Sequence, residues 1–172
     1  MRFRGEHWYL SNMYPCDITY NGHHFTCVEA AFQAQKDLSR ISEFEGISGK
    51  DAKRLGRQVR LREGWNEMRD DIMKEILDVK FSDPELARKL ASDQDIKRSG
   101  GVITEENEWG DRYWGVCNGV GRNRLGELLQ EVRHEVCDRL KEDAPVKKTT
   151  GRDVPEDLLP SSRSDMTDQP GV

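Results

Sequence analysis

Three polar side chains lie at helical spacing in the short segment TCVEAAFQAQK, residues 26 to 36. Glu29, Gln33 and Lys36 follow an i, i+4, i+7 pattern, so a helix places them on one face. A carboxylate beside an amine can transfer protons or support a covalent intermediate. The same segment fits a T-x-x-E capping box, in which Glu29 only bonds back to Thr26 and Lys36 is a solvated lysine. The spacing indicates a candidate site and leaves both interpretations open.

A run of cations lies between residues 50 and 62, with six lysines and arginines against one acid, Asp51. Guanidinium groups bind phosphate oxygens through paired hydrogen bonds, so Arg57 is a candidate phosphate ligand. Charge runs are more often solvated helix faces, and the sequence alone does not decide between the two interpretations.

The segment EWGDRYWGVCNGVGRN, residues 108 to 123, combines aromatic rings, an acid and glycines. Trp109 and Trp114 flank Asp111, and their rings offer stacking surfaces for a base or a sugar. Two glycines precede a helix that starts near Asn123, so we expect free backbone N–H groups there that could hold an anion. Each feature alone is a weak signal, because tryptophans more often belong to a core.

The elements that must position these side chains follow from periodicity and turn residues. The segment CDITYNGHHF is a predicted hairpin, because the Asn21-Gly22 pair suits a type I′ turn. A helix is predicted over residues 27 to 39, with Val28, Ala31 and Phe32 toward the core.

Further helices are predicted from caps and apolar stripes. Ser48 is the expected cap of one helix, and Ser82 or Asp83 caps another that begins near Pro84. The two longest helices should bury apolar stripes at helical spacing, Met68, Ile72, Ile76 and Val79 in one, and Leu125, Leu128, Leu129, Val132, Val136 and Leu140 in the other.

The composition excludes several classes of protein. The formal net charge of −5 argues against binding of nucleic acid through a general electrostatic attraction. The four cysteines form no C-x-x-C pair, so we predict no metal site and expect a reduced, cytoplasmic protein. No signal-peptide pattern or long apolar run is present, and no membrane association is expected.

The periodic pattern stops near Ala144. Residues 144 to 172 hold four of the six prolines and no aromatic residue, so they cannot bury enough apolar surface to offset the entropy of ordering. We expect one folded domain, residues 1 to 143, followed by a disordered tail, residues 144 to 172.

Three blocks, taken in order, resemble the NADAR (YbiA-like) family: LSNMYPCDITYNGHHFTCVEAAFQAQK, AKRLGRQVRLREGWNEMRDDIMKEILDVKF and WGDRYWGVCNGVGRNRLGELLQEVR. The match spans nearly all of residues 1 to 136, and several blocks in the right order are far more specific than any single motif. The resemblance implies an α+β fold, namely a mostly helical single domain with a small β-sheet beside one cleft.

The resemblance also implies an activity. Members of this family are N-glycosidases that act on ADP-ribose-like or phosphorylated ribosyl compounds, and no cofactor is expected. One activity removes ADP-ribose from guanine in DNA or RNA, opposing a toxin-type ADP-ribosyltransferase, and another hydrolyses early intermediates of riboflavin synthesis. The expected partner is an ADP-ribosylated nucleotide or nucleic acid, and the chain is expected to be a monomer. The alternatives are a module that binds ADP-ribose without cleaving it and a DNA-binding regulator built on the basic run.

Motif positions assign site residues by the same resemblance. Glu29 and Lys36 match an E-x-x-x-Q-A-x-K block and Asp111 matches a D-x-x-W-G block, which implies that these three are catalytic. Six further residues are expected to contact the substrate: Asn12, Gln33, Arg57, Trp65, Trp114 and Asn123. In this scheme Arg57 and the helix start near Asn123 hold phosphates, while the two tryptophans stack on ring systems.

Overall fold

The computed structural model describes residues 1 to 143, and the predicted tail lies outside the described residues. The helices are α1 (Val28–Ala34), α2 (Gly49–Leu55), α3 (Trp65–Lys80), α4 (Pro84–Ser92), α5 (Gln94–Arg98) and α6 (Arg124–Glu142). The strands are β1 (Ile18–Tyr20), β2 (His23–Phe25), β3 (Glu106–Asn107) and β4 (Val116–Cys117), and two 3-10 helices span Gly5–Leu10 and Leu38–Phe44. Within this part of the chain, no helix is both long and apolar enough to cross a membrane.

The predicted α+β fold, mostly helical with little sheet, is confirmed. Strands β1 and β2 form the predicted antiparallel hairpin, and Asn21 and Gly22 have the positive φ angles, 51° and 80°, that a type I′ turn requires. Strands β3 and β4 pair in parallel through Glu106 and Val116. The described residues therefore contain two separate two-stranded sheets.

The predicted helix caps at Ser48 and Asp83 are present. The Ser48 hydroxyl accepts the N–H of Asp51 at 3.2 Å. The Asp83 carboxylate accepts the N–H of Glu85 at 2.9 Å, with Pro84 in the first helical position. These short-range signals set where α2 and α4 begin.

Helix α1 is the central helix of the fold. Every residue from Val28 to Ala34 is buried, because α1 packs against both α2 and α3. Helix α3 packs in turn against α6, and the two predicted apolar stripes face this core. Glu29 and Gln33 therefore lie in a buried helix and not on a solvated face.

Helix α1 is shorter than the sequence predicts. It ends at Ala34, where the sequence predicts a helix to residue 39. The Asp37 carboxylate accepts the N–H of Ser39 at 3.1 Å and begins the 3-10 helix Leu38–Phe44. A local side-chain to backbone hydrogen bond thus competes with continuation of α1, and Lys36 lies in the connection between the two helices.

Lys80, the most deeply buried cation among residues 1 to 143, should make stability depend on pH. Lys80 is 1% exposed, and its ammonium donates to the Ser11 carbonyl at 2.9 Å. Burial lowers the pKa of Lys80 to about 8 from the ordinary value of 10.5. Between these two pH values the unfolded chain binds more protons than the folded chain, so the free energy of unfolding should rise with pH, by about 3 kcal/mol from this group.

Denaturant unfolding of wild type and Lys80→Met at pH 8 and 10.5 measures this contribution. Lys80→Met removes the titrating group, so its free energy of unfolding should increase less over this interval. An equal increase in both proteins would contradict the assignment to Lys80.

Candidate active site

A cleft of about 450 Å³ gathers most of the predicted site residues. Its wall is formed by α1, the loop after the first 3-10 helix, the start of α3 and the segment from residue 105 to 114. Seven of the nine predicted residues line it: Asn12, Glu29, Gln33, Lys36, Trp65, Asp111 and Trp114. The volume lies in the usual range of small-molecule sites.

Glu29 is held in the cleft by contacts that exclude the capping-box interpretation. Its side chain is 7% exposed and accepts a hydrogen bond from Gln33 Nε2 at 2.9 Å. Its backbone N–H donates to the Asn12 carbonyl at 2.9 Å. The Thr26 hydroxyl instead donates to the Ile47 carbonyl at 2.6 Å. The predicted capping box is therefore wrong, and the Glu29 carboxylate is free to face the cleft.

The Gln33 side chain lies between Glu29 and Gly56, at the end of α2. Its Oε1 atom is buried and has no hydrogen-bond partner among residues 1 to 143. A Cβ atom on Gly56 would lie 1.9 Å from that oxygen, so the glycine makes room for the amide. The Gly56 carbonyl also accepts a long hydrogen bond, 3.5 Å, from Lys36 Nζ. The absence of a side chain at Gly56 thus lets Glu29, Gln33 and Lys36 lie together.

Gly56→Ala should impair the site more than the fold. The added methyl group displaces the Gln33 amide and breaks its bond to Glu29, so turnover should fall roughly tenfold or more. In a Gln33→Ala background the same methyl group has space and should cost little. Turnover and melting temperature of the two single variants and the double variant measure this coupling. Additive losses in turnover would contradict the proposed contact.

Lys36 occupies an environment that disfavours its charge. The side chain lines the cleft and is half-buried. Burial lowers the pKa of Lys36, Glu29 opposes that shift, and the positive charges of Lys53 and Arg57 add to it. A lysine of this kind is more readily available as a neutral amine than a solvated lysine.

A tight turn of the backbone places Asp111 at the cleft. Its Oδ1 atom accepts the N–H groups of Tyr113 and Trp114 at 3.0 and 2.9 Å. The side chain of Asn107 fixes the backbone of Asp111. Its Oδ1 atom accepts the Asp111 N–H at 3.1 Å, and its Nδ2 atom donates to the Asp111 carbonyl at 2.7 Å. One carboxylate oxygen thus fixes the turn, and Oδ2 has no hydrogen bond within the described part of the chain.

Glu105 is a buried acid of this cleft that no motif in the sequence indicates. It is 7% exposed, and Asn107 Nδ2 donates to its Oε2 at 3.2 Å. Burial, with help from the negative charge of Asp111, raises the pKa of Glu105 to about 7. The one signal in the sequence is that Ile103, Glu105 and Asn107 alternate as inward positions, a pattern too short to be recognised.

The aromatic residues divide into a buried group and an exposed ring. Trp65 is 6% exposed, with its ring centroid 5.2 Å from that of Phe32. Trp114 meets the same Phe32 edge-on at 5.4 Å. Trp109 also lines the cleft but is 60% exposed. Trp65 and Trp114 thus form a packed part of the cleft wall, and the exposed ring of Trp109 lies at the edge of the cleft.

The structure does not bring the two predicted phosphate contacts into the cleft. Arg57 is exposed and does not line it. Asn123 is structural, since it accepts the Glu105 N–H at 2.9 Å and donates to the Ile103 carbonyl at 2.9 Å. The N–H groups of residues 123 to 125 bond to the carbonyls of residues 113 to 115. These three N–H groups are therefore not available to an anion.

Cations other than the predicted Arg57 line the cleft. Lys53, on α2, lines the cleft, as do Arg2 and Arg4. Arg69 also lines it, with its guanidinium 3.7 Å from the centroid of the Tyr113 ring. Its Nε atom is buried and has no hydrogen-bond partner among residues 1 to 143. The cleft therefore combines acids, an amine with a lowered pKa and arginines.

Comparisons with known proteins agree with this architecture. A family model for the NADAR domain matches residues 2–137. A riboflavin biosynthesis protein of Vibrio vulnificus (strain YJ016) is 34% identical over 147 residues, which are 81% of this chain but 37% of that protein. N-glycosidase YbiA of Escherichia coli (strain K12) is 32% identical over 134 residues, covering 74% of this chain and 81% of YbiA.

A solved structure supports the same relationship. The NMR structure of the E. coli protein YbiA has a TM-score of 0.69 and 29% sequence identity to this chain, and the match covers 83% of this chain and 87% of that one. The chain spans well under half of the Vibrio protein, so that protein's remaining length has no counterpart in the match. Because the family model covers most of the sequence, this chain belongs to the NADAR domain family.

Proposed function

We propose that this chain is an N-glycosidase that hydrolyses the N-glycosidic bond of an ADP-ribosylated guanine in nucleic acid, or of a related phosphoribosyl compound. The observation that carries the proposal is the cluster of buried Glu29 and Gln33 with half-buried Lys36, which lines one cleft together with Asp111. The name N-glycosidase, given to the YbiA relatives, supports the reaction class.

The chemistry needs carboxylates near the sugar. Breaking the bond builds positive charge at the anomeric carbon and negative charge on the departing base. The Glu29 carboxylate is placed to stabilise that positive charge or to take a proton from water. Asp111 orients ribose hydroxyls through its second oxygen, because its first oxygen holds the turn to Tyr113 and Trp114.

Lys36 has two possible roles. As a neutral amine it attacks the anomeric carbon and, after the sugar ring opens, forms an imine that water hydrolyses. As an ammonium it binds a phosphate or a ribose hydroxyl while Glu29 activates water. The lowered pKa of Lys36, caused by burial, supports the first role.

Arginines and lysines of the cleft are the proposed phosphate ligands. Lys53 is near enough to affect the pKa of Lys36, so a phosphate bound at Lys53 would lie close to the reacting sugar. Arg69 lines the cleft and its guanidinium is held against Tyr113, and a guanidinium fixed in this way binds phosphate with little loss of entropy. These two residues replace Arg57 in the proposed site.

The exposed ring of Trp109 favours an ADP-ribosylated substrate. An ADP-ribosyl group carries an adenine beyond its two phosphates, and the target guanine adds another ring, so a free aromatic face can stack on one of them. A ribosyl monophosphate has no second ring system. The reaction would then oppose an ADP-ribosyltransferase. The riboflavin biosynthesis relative makes an early riboflavin intermediate the alternative substrate.

A side-by-side turnover assay tests the proposal. An ADP-ribosylated guanine oligonucleotide and a pyrimidine ribosyl phosphate are incubated with the full chain, and the released base is measured. We expect a higher kcat/KM for the oligonucleotide. A higher value for the pyrimidine compound would favour the alternative substrate. Tight ADP-ribose binding without release of either base would contradict an enzyme and support a binding module.

A further inference from the structure

Glu105 is a buried acid of the cleft that the mechanism above leaves unused. Its carboxyl lines the cleft beside Asn107, which donates to Oε2 at 3.2 Å. Its backbone is fixed as well, because its N–H donates to Asn123 Oδ1 at 2.9 Å. Within residues 1 to 143, no lysine or arginine forms a salt bridge with it. A buried acid without a cationic partner is costly to ionise and unusual unless it has a function.

The fold makes room for this carboxyl group. A Cβ atom on Gly115 would lie 1.6 Å from Glu105 Oε2, 2.5 Å from the Glu105 carbonyl and 2.7 Å from Asn107 Nδ2. Any side chain at residue 115 would therefore displace the acid or its partner. The glycine, the two asparagines and the paired strands together hold Glu105 in one place on the cleft wall.

The neighbours of Glu105 and Glu29 differ in the sign of their charge. Glu29 interacts with the amine of Lys36, whereas Glu105 interacts with the carboxylate of Asp111. The positive charge of Lys53 and that of the N-terminal amine only partly offset the effect of Asp111 and of burial on Glu105. Two carboxyl groups whose surroundings differ in this way suit the two roles of base and acid in one site.

We propose that Glu105 donates the proton that the departing base takes up, a role that rests on the proposed glycosidase activity. As the C1–N bond breaks, its electron pair goes to the base nitrogen, which takes the proton from the Glu105 carboxyl group. Water then adds to the anomeric carbon, or to the imine on Lys36, and the proton it loses restores the acid. The net change is hydrolysis, with oxygen on the sugar and hydrogen on the base.

Two substrates test the role of Glu105 as proton donor, because their leaving groups differ in their need for a proton. Guanine bound through nitrogen needs a proton to depart, whereas 4-nitrophenolate departs as an anion. For Glu105→Gln, release of base from ADP-ribosylated guanosine should fall about a hundredfold or more, as expected for loss of a general acid. Release of 4-nitrophenolate from the 4-nitrophenyl glycoside of ADP-ribose should keep most of the wild-type rate. Glu85→Gln, at an exposed acid of α4 that does not line the cleft, is the matched control.

The outcomes separate this role from the proposed function. A folded Glu105→Gln protein that loses both reactions equally, or neither, would overturn the role of proton donor while leaving a glycosidase. Wild-type protein that releases neither leaving group would overturn the glycosidase itself, and this role with it.

A pH profile of the wild-type protein tests the role without any variant. Burial raises the pKa of Glu105 to about 7, so the protonated acid is lost as the pH rises through that value. The rate with ADP-ribosylated guanosine should therefore fall above that pH, and the rate with the 4-nitrophenyl compound should lack this decrease. A shared decrease for both compounds would contradict the proposal.

Discussion

Glu29→Gln should give a folded protein that releases base at roughly one hundredth of the wild-type rate or less, as expected when a catalytic carboxylate is lost. The glutamine keeps the shape of the side chain, and its Oε1 atom can still accept the hydrogen bond from Gln33 Nε2 that Glu29 accepts at 2.9 Å. The cost in stability should therefore be small, on the order of 1 kcal/mol. Base release per folded molecule and the melting temperature measure the two effects separately.

A matched variant identifies the source of the loss. Glu67→Gln makes the same chemical change at an exposed position in the first turn of α3 and should keep the wild-type rate. The account would be wrong if Glu29→Gln melted early but retained its rate per folded molecule, because Glu29 would then serve the fold alone.

Borohydride added during turnover should attach a ribosyl adduct to the protein at Lys36. If Lys36 attacks the anomeric carbon, the resulting imine is reduced to a stable amine, which mass spectrometry maps to the residue. Burial lowers the pKa of Lys36, so the reactive amine is available at lower pH than a solvated lysine would be. The rate should still fall on acidification, since protonation removes the nucleophile.

Two variants separate attack by Lys36 from binding by Lys36. Lys36→Arg cannot form the imine, so it should lose both adduct and turnover, whereas Lys50→Met, at an exposed lysine, should keep both. If product accumulates while the mass of the protein stays unchanged, Lys36 is a binding residue. Lys36→Arg would then retain part of the rate.

Short-range signals in the sequence predicted much of the fold. The Asn21-Gly22 turn, the Ser48 and Asp83 caps and the apolar stripes of α3 and α6 depend on residues close in the chain, and the structure has them. The spacing of Glu29, Gln33 and Lys36 likewise placed them together, since this pattern needs only a helix and a short continuation.

Long-range contacts decided the features that the sequence did not predict. The capping box failed because the Thr26 hydroxyl bonds to Ile47, far along the chain. At the helix start near Asn123, the carbonyls of residues 113 to 115 accept the N–H groups of residues 123 to 125 and make them unavailable to an anion. Glu105 was missed because the space for its carboxyl group comes from the pairing of β3 with β4 and from Gly115, further along the chain.

Release of free base in a single turnover, with the protein in excess over ADP-ribosylated guanosine, tests the glycosidase claim most directly. In a single turnover, slow dissociation of the products from the enzyme does not limit the signal. The account predicts that wild-type protein frees one base for each substrate molecule bound, and that Glu29→Gln binds the same substrate and leaves it intact. Substrate that stays intact while bound in the cleft of the wild-type protein would contradict the account and leave a module that binds ADP-ribose.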